Sequence, residues 1–135
     1  MRIVVDTNVI ISGLFFGGNP SKVLMAIVDS KVNALATKEI INEYINVIER
    51  MMANKTKSFE LATLDTLFTS FELIDRKTVL ELSRDPDDNK FIECAIDGNA
   101  MYIVSGDNDL LVLKQYNDIK IITVNDFCDI FNKNN

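Results

Sequence analysis

Ile3, Val4 and Val5 form an unbroken β-branched run near the start of the chain, in MRIVVDTN. A strand with one wet face alternates apolar and polar side chains, whereas a run without alternation belongs to a strand buried on both faces. A sheet built around such a strand needs helices over each face. The rest of the chain keeps this rhythm. Short apolar strands are expected over residues 2–5, 32–36, 71–74, 102–105 and 119–123, separated by segments of helical pattern. A helix is expected over 9–15. After the Gly17-Gly18-Asn19 breaker, Pro20-Ser21 opens a second helix running to residue 28. Thr37 caps a long helix whose apolar positions are Ile40, Ile41, Tyr44, Ile45, Ile48, Met51 and Met52. Ser58 caps another that carries Leu61, Leu64, Phe68 and Phe71. Further helices are expected over 88–97, 109–113 and 126–131, and residues 132–135 read as a loose polar tail. The expected fold is one α/β domain over 1–135, with a parallel sheet flanked by helices and no internal repeat or linker.

Composition narrows the chemistry. Among 135 residues there is no histidine, which removes histidine triads, zincin motifs and most zinc sites. The two cysteines, Cys94 and Cys128, are isolated in apolar helical patterns and read as buried thiols. No charged leader followed by an apolar stretch opens the chain, and the apolar run at 23–28 is far too short to span a membrane. A cytoplasmic protein without membrane association is expected. The net charge of −6 opposes nucleic-acid binding, unless several of the acids hold metal. Two bound divalent ions would bring the formal charge to about −2.

Four acidic places need weighing. Asp6 ends the first buried strand, where an unpaired charge is costly; it either caps the next helix or meets a cation, and the two roles are compatible. On the long helix, with Ile40 set at zero, the apolar stripe runs from about 340° to 140°. Glu43 falls near 300°, at its edge, Glu39 near 260°, toward solvent, and Glu49 near 180°, further along. In RDPDDNKFIECA, Asp85 and Pro86 suit a helix start, while Asp88 shares a face with Phe91, Ile92 and Ala95. In VSGDNDLL, Gly106 permits a tight turn, and Asp107 and Asp109 open a short helix. Capping or a solvated face explains each of these acids singly.

Together they place carboxylates beyond the carboxyl ends of two strands, where parallel sheets bind ligands. Two carboxylates about 4 Å apart repel by roughly 4 kcal/mol at an effective dielectric near 20. Converging acids therefore call for protons or cations between them. An all-oxygen ligand set selects Mg²⁺ or Mn²⁺ over zinc, and Mg²⁺ retains waters and takes phosphate oxygens. That combination points to phosphoryl chemistry with metal-activated water as the nucleophile.

VVDTNVIIS, the acidic helix with Glu43, DPDDNKFIECA and YIVSGDNDLL occur in an order and spacing that resemble PIN-domain proteins. The resemblance runs over nearly the whole chain and is strongest to small stand-alone PIN proteins that act as ribonuclease toxins of toxin–antitoxin pairs. It implies a PIN-like three-layer sandwich with a five-stranded parallel sheet of order 3-2-1-4-5. It also implies an Mg²⁺- or Mn²⁺-dependent endonuclease acting on single-stranded RNA. Carried over by motif, the catalytic and metal-binding acids are Asp6, Glu43, Asp88 and Asp107, with Asp109 as a fifth metal-ligand candidate, and Thr7, Asn8 and Ser105 are supporting polar residues. Relatives are often homodimers held in check by a small antitoxin protein. In so acidic a chain, RNA affinity must come from local cations. The candidates are Lys38, Arg50, Lys55, Lys57, Arg84 and Lys90, which the sequence does not place on one surface.

Two rival classes remain. A Mg²⁺-dependent phosphotransfer domain of the haloacid-dehalogenase type wants a second acid two residues after the first, where this chain has Asn8. A receiver domain wants an acid pair at the first strand, and only Asp6 stands there. The other rival is a PIN-like module that binds RNA or protein without cutting, against which the intact acids speak.

Overall fold

The computed structural model describes residues 1–54, 61–80 and 86–134, and the remaining positions lie outside the described residues. β1 (Arg2–Val5) occupies the middle of the sheet, and its Ile3, Val4 and Val5 are fully buried, as an unbroken apolar run requires. It pairs in parallel with β2 (Asn33–Ala36) on one side and β4 (Tyr102–Val104) on the other. β3 (Glu72–Leu73) continues the sheet beyond β2, and β6 (Ile119–Ile122) continues it beyond β4, both in parallel. Along this row the order is the expected 3-2-1-4 followed by the strand near residue 120.

The sheet departs from expectation at one edge. Among the described residues it has six strands, not five, because β5 (Gln115–Tyr116) folds back antiparallel on β6. Lys114 and Asn117 take left-handed backbone angles, with φ of 61° and 51°, and these let the chain reverse within a few residues. The sheet is therefore mostly rather than wholly parallel.

Helices flank the sheet. α1 (Thr7–Phe15) follows β1 directly, and α2 (Asn19–Val28) begins with Pro20 in its first turn. α3 (Lys38–Asn54) is capped by Thr37, whose Oγ1 accepts from the Ile40 N–H at 3.2 Å. Its Ile40, Tyr44 and Ile48 are buried. α4 (Leu61–Thr69) precedes β3; the proposed cap Ser58 lies outside the described residues. A 3₁₀ turn, Pro86–Asp88, leads into α5 (Asn89–Asp97), which packs on β1, β2 and β4. Asp85, expected to cap it, lies outside the described residues. α6 (Asn108–Leu111) follows β4, and α7 (Val124–Asn134) ends the described chain. α7 is longer than expected at both ends, so residues 132–134 are helix and not a loose tail. At its start the Asp126 N–H donates to Thr123 Oγ1 at 3.1 Å and the Thr123 N–H donates back to Asp126 Oδ2 at 3.5 Å, the reciprocal pattern of a capping box. Among the described residues, no single helix is long and apolar enough to cross a membrane.

The register fixes where the acids fall. Val5 stands opposite Val104, so β1 and β4 end level with each other. The Asp6 N–H extends this ladder to the Val104 carbonyl at 2.9 Å, and the Ser105 N–H reaches the Ile122 carbonyl of β6 at 2.9 Å.

Candidate metal centre

Asp6 stands at the N-cap of α1 with extended backbone angles, and its carbonyl accepts from the Val9 N–H at 3.0 Å. Its side chain makes no capping hydrogen bond. Instead it turns toward β4, where Ser105 Oγ donates to Asp6 Oδ2 at 2.7 Å. The two roles open to Asp6 coexist: the Asn8 backbone amide in the first turn of α1 bears on its carboxylate, while Oδ2 is held toward the site by Ser105. The same Ser105 Oγ accepts the Asp107 N–H at 2.9 Å. One fully buried hydroxyl thus ties the end of β1 to the loop after β4.

Asp107 caps α6 by accepting the Asp109 N–H on Oδ1 at 2.9 Å. The cap and the site are compatible here, because one carboxylate oxygen remains. Asp88 closes the 3₁₀ turn, at the N-cap of α5, and is buried. One carboxylate oxygen from each of Asp88, Asp107 and Asp109 lies within 4.8 Å of the other two. Asp6 and Glu43 flank this triangle without belonging to it.

Glu43 is held from two sides. Thr7 Oγ1 donates to its Oε2, and Lys90 Nζ sits 2.5 Å from its Oε1. Beneath it, the buried Tyr44 hydroxyl donates to the Val5 carbonyl, pinning α3 against the end of β1. Burial pushes the Tyr44 hydroxyl well above its ordinary pKa, with the charges of Cys94, Asp6 and Glu43 adding to the effect. Tyr44 therefore stays a neutral donor.

Burial raises the Asp6 pKa above the usual aspartate value, and the charges of Asp107 and Glu43 push in the same direction. The Ser105 hydroxyl and the Asn8 backbone amide pull it back. A group shifted by burial and by like charges is the physical signature of a site that stores negative charge. The donor set fits a divalent cation: three convergent carboxylate oxygens, with one residue buried and no histidine in the chain. Hard oxygen ligands of this kind suit a hard divalent ion.

The structure thus gathers Asp88, Asp107 and Asp109 tightly, couples Asp6 to them through Ser105, and sets Glu43 beside Lys90 and Thr7. Asn8 is exposed and acts on Asp6 through its main chain. Glu39 faces Arg76 at 3.5 Å, and Glu49 is exposed. Two contacts escaped the sequence. Tyr44 read simply as part of the apolar stripe, although a buried phenol needs a partner for its hydroxyl. Lys90 read as a surface cation, although it lies on α5 two residues after Asp88.

An α/β sheet with acids converging beyond its central strands puts the chain in the class of domains that could hold a divalent cation at that end. A profile of the PIN domain matches residues 2–109, and the chain belongs to the PIN-domain family. PIN domains are generally metal-dependent nucleases. A protein of Methanocaldococcus jannaschii, described as uncharacterized, is 30% identical over 98% of this chain and 93% of its own length. No solved structure matches the chain significantly.

Proposed function

We propose that the protein is an Mg²⁺- or Mn²⁺-dependent endoribonuclease that cuts single-stranded RNA. We further propose that it acts in the cytoplasm as the toxin of a toxin–antitoxin pair, as a homodimer restrained by a small antitoxin protein. The observation that carries the nuclease reading is the Asp88–Asp107–Asp109 triangle at the carboxyl end of the sheet in a PIN-family chain. These three acids, with Asp6 and Glu43, would hold the metal. When bound, such an ion supplies Lewis-acid activation of water and neutralises charge at the scissile phosphate. The chain's own groups do the rest. Ser105 fixes Asp6 against Asp107, and Thr7 fixes the rotamer of Glu43. Lys90 pairs with Glu43, which offsets part of the repulsion among the acids while they are held in place.

The test is cleavage of a generic single-stranded RNA by the full chain in Mg²⁺, Mn²⁺ and EDTA. Asp88→Asn and Asp107→Asn should each lower the rate by about 100-fold or more, the usual effect of losing one electrostatic stabiliser. Glu49→Gln should cut normally. Binding without metal-dependent cutting would overturn the nuclease reading in favour of a non-catalytic PIN-like module. Induced expression should arrest growth, and Asp88→Asn should lift the arrest; normal growth with an active enzyme would remove the toxin role and leave the nuclease.

A further inference from the structure

Lys38, Asn42, Asn46 and Arg50 recur every four residues along α3. That spacing makes one row on the helix surface, drifting about 40° per step. It lies away from the buried Ile40, Tyr44 and Ile48 and beside Glu39 and Glu43. With those two acids and Lys90, the row lines an open groove of about 510 Å³. Glu43 pairs with Lys90 at 2.5 Å, while Glu39 shares Arg76, at 3.5 Å, with the buried Glu93 at 3.2 Å, so the groove's own lining sets three cations, Lys38, Arg50 and Lys90, against two acids. Lys38 and Arg50 are exposed and make no ion pair among the described residues. In a chain of net charge −6, this is a cationic track leading to the acidic centre.

We propose that single-stranded RNA runs along this groove to the metal centre, its phosphates on Lys38 and Arg50 and its riboses or base edges on Asn42 and Asn46. The proposal rests on the single-strand RNA nuclease reading. From Lys38 to Arg50 the helix rises about 18 Å, the reach of a few nucleotides. Cations at the two ends suit phosphates a few nucleotides apart. The amides between them carry both donors and acceptors, which suit a ribose hydroxyl or an unpaired base edge. Among the described residues no aromatic side chain lines the groove, so these residues offer no stacking platform and track the backbone electrostatically. A bound protein segment would want apolar anchors, and among the described residues neither aromatic nor aliphatic side chains line the groove.

The experiment is fluorescence anisotropy of a short labelled RNA, and its DNA counterpart, on the full chain in EDTA across a range of KCl. Lys38→Ala and Arg50→Ala should each weaken binding several-fold at low salt and reduce the slope of log affinity against log salt by about 0.7, one phosphate contact's worth. Asn42→Ala and Asn46→Ala should keep the slope and narrow the preference for RNA over DNA. Lys31→Ala, at the amino-terminal end of β2, is the control and should change nothing. Groove variants that behave like Lys31→Ala would overturn the track while wild-type cleavage keeps the nuclease reading. Weakened binding in the groove variants without any metal-dependent cleavage would keep the track and remove the nuclease. A wild-type chain that binds no RNA would overturn both.

Discussion

At Asp6 a buried strand ends in a charge, and the surroundings decide what that charge does. Its folded pKa is raised, first by burial and then by Asp107 and Glu43. In the metal-free protein the folded state therefore holds this proton more tightly than the unfolded chain. The resulting stabilisation is full below the ordinary aspartate range, near 4, and is lost as pH rises through the raised value. Asp6→Asn removes the charge but keeps an acceptor for Ser105. In EDTA at neutral pH the variant should melt above wild type, and the gap should shrink as pH falls toward the ordinary aspartate value. Saturating Mn²⁺ should reverse the order, because only wild type gains the full binding contribution. Thermal melts across pH read both effects, and a gap independent of pH would show that Asp6 does not carry the repulsion. Cys94 offers a second residue-level check. Burial pushes its thiol up to about 12, so it should resist alkylation by iodoacetamide until the protein unfolds. Rapid labelling of the native chain would mean that α5 opens from the sheet.

Among the elements, those with a strong period were legible. β1 announced itself by continuity, and α3 by seven apolar positions at helical spacing. The same wheel put Glu43 at the stripe's edge, where its side chain is 30% exposed between Thr7 and Lys90. What stayed hidden depends on backbone paths that no period encodes. β5 is only two residues long and exists because Lys114 and Asn117 turn left-handed. The polar end of α7 carries no apolar stripe to mark it. The convergence of Asp109 with Asp88 depends on the turn after β4, where Asp107 captures the Asp109 N–H, and spacing does not report that. Close packing between α1 and α2 was equally invisible. A Cβ on Gly13 would lie 2.7 Å from Leu24 Cδ1 and 2.8 Å from the Pro20 carbonyl oxygen. Gly13→Ala gains about 1 kcal/mol of helix propensity. The overlap with a backbone carbonyl forces α2 to shift, and overpacking of this kind costs about 1–3 kcal/mol. The net effect should be a loss of about 1 kcal/mol in urea unfolding, taking the middle of that range. A more stable variant would show that α1 and α2 part freely.

At the scale of the whole molecule, the acids come from four distant stretches: the end of β1, α3, the start of α5 and the loop after β4. Folding alone brings them together, and parallel pairing of β1 with β4 at matched register is the step that does it. The molecule thereby concentrates carboxylates where it has no histidine to share the work. If the chain is the ribonuclease proposed above, this decides which RNA cleavage it would support. Attack by the RNA's own 2′-hydroxyl is commonly driven by a general base and acid that titrate near neutrality, and among side chains only histidine does so unperturbed. It would leave 2′,3′-cyclic phosphate ends. Carboxylates that gather a divalent ion favour attack by water instead, with charge on the departing 3′ oxygen stabilised in line. The products should then carry 5′-phosphate and 3′-hydroxyl ends, and EDTA should abolish their formation. Ca²⁺ should support the reaction poorly, since its looser coordination holds the reacting groups less firmly. Because the 2′-hydroxyl is not the nucleophile, an RNA carrying one 2′-deoxy residue at the cleavage point should still be cut there. End-group analysis of the products by mass spectrometry checks all of this, and cyclic phosphate ends, or undiminished cleavage in EDTA, would leave the fold standing without this chemistry.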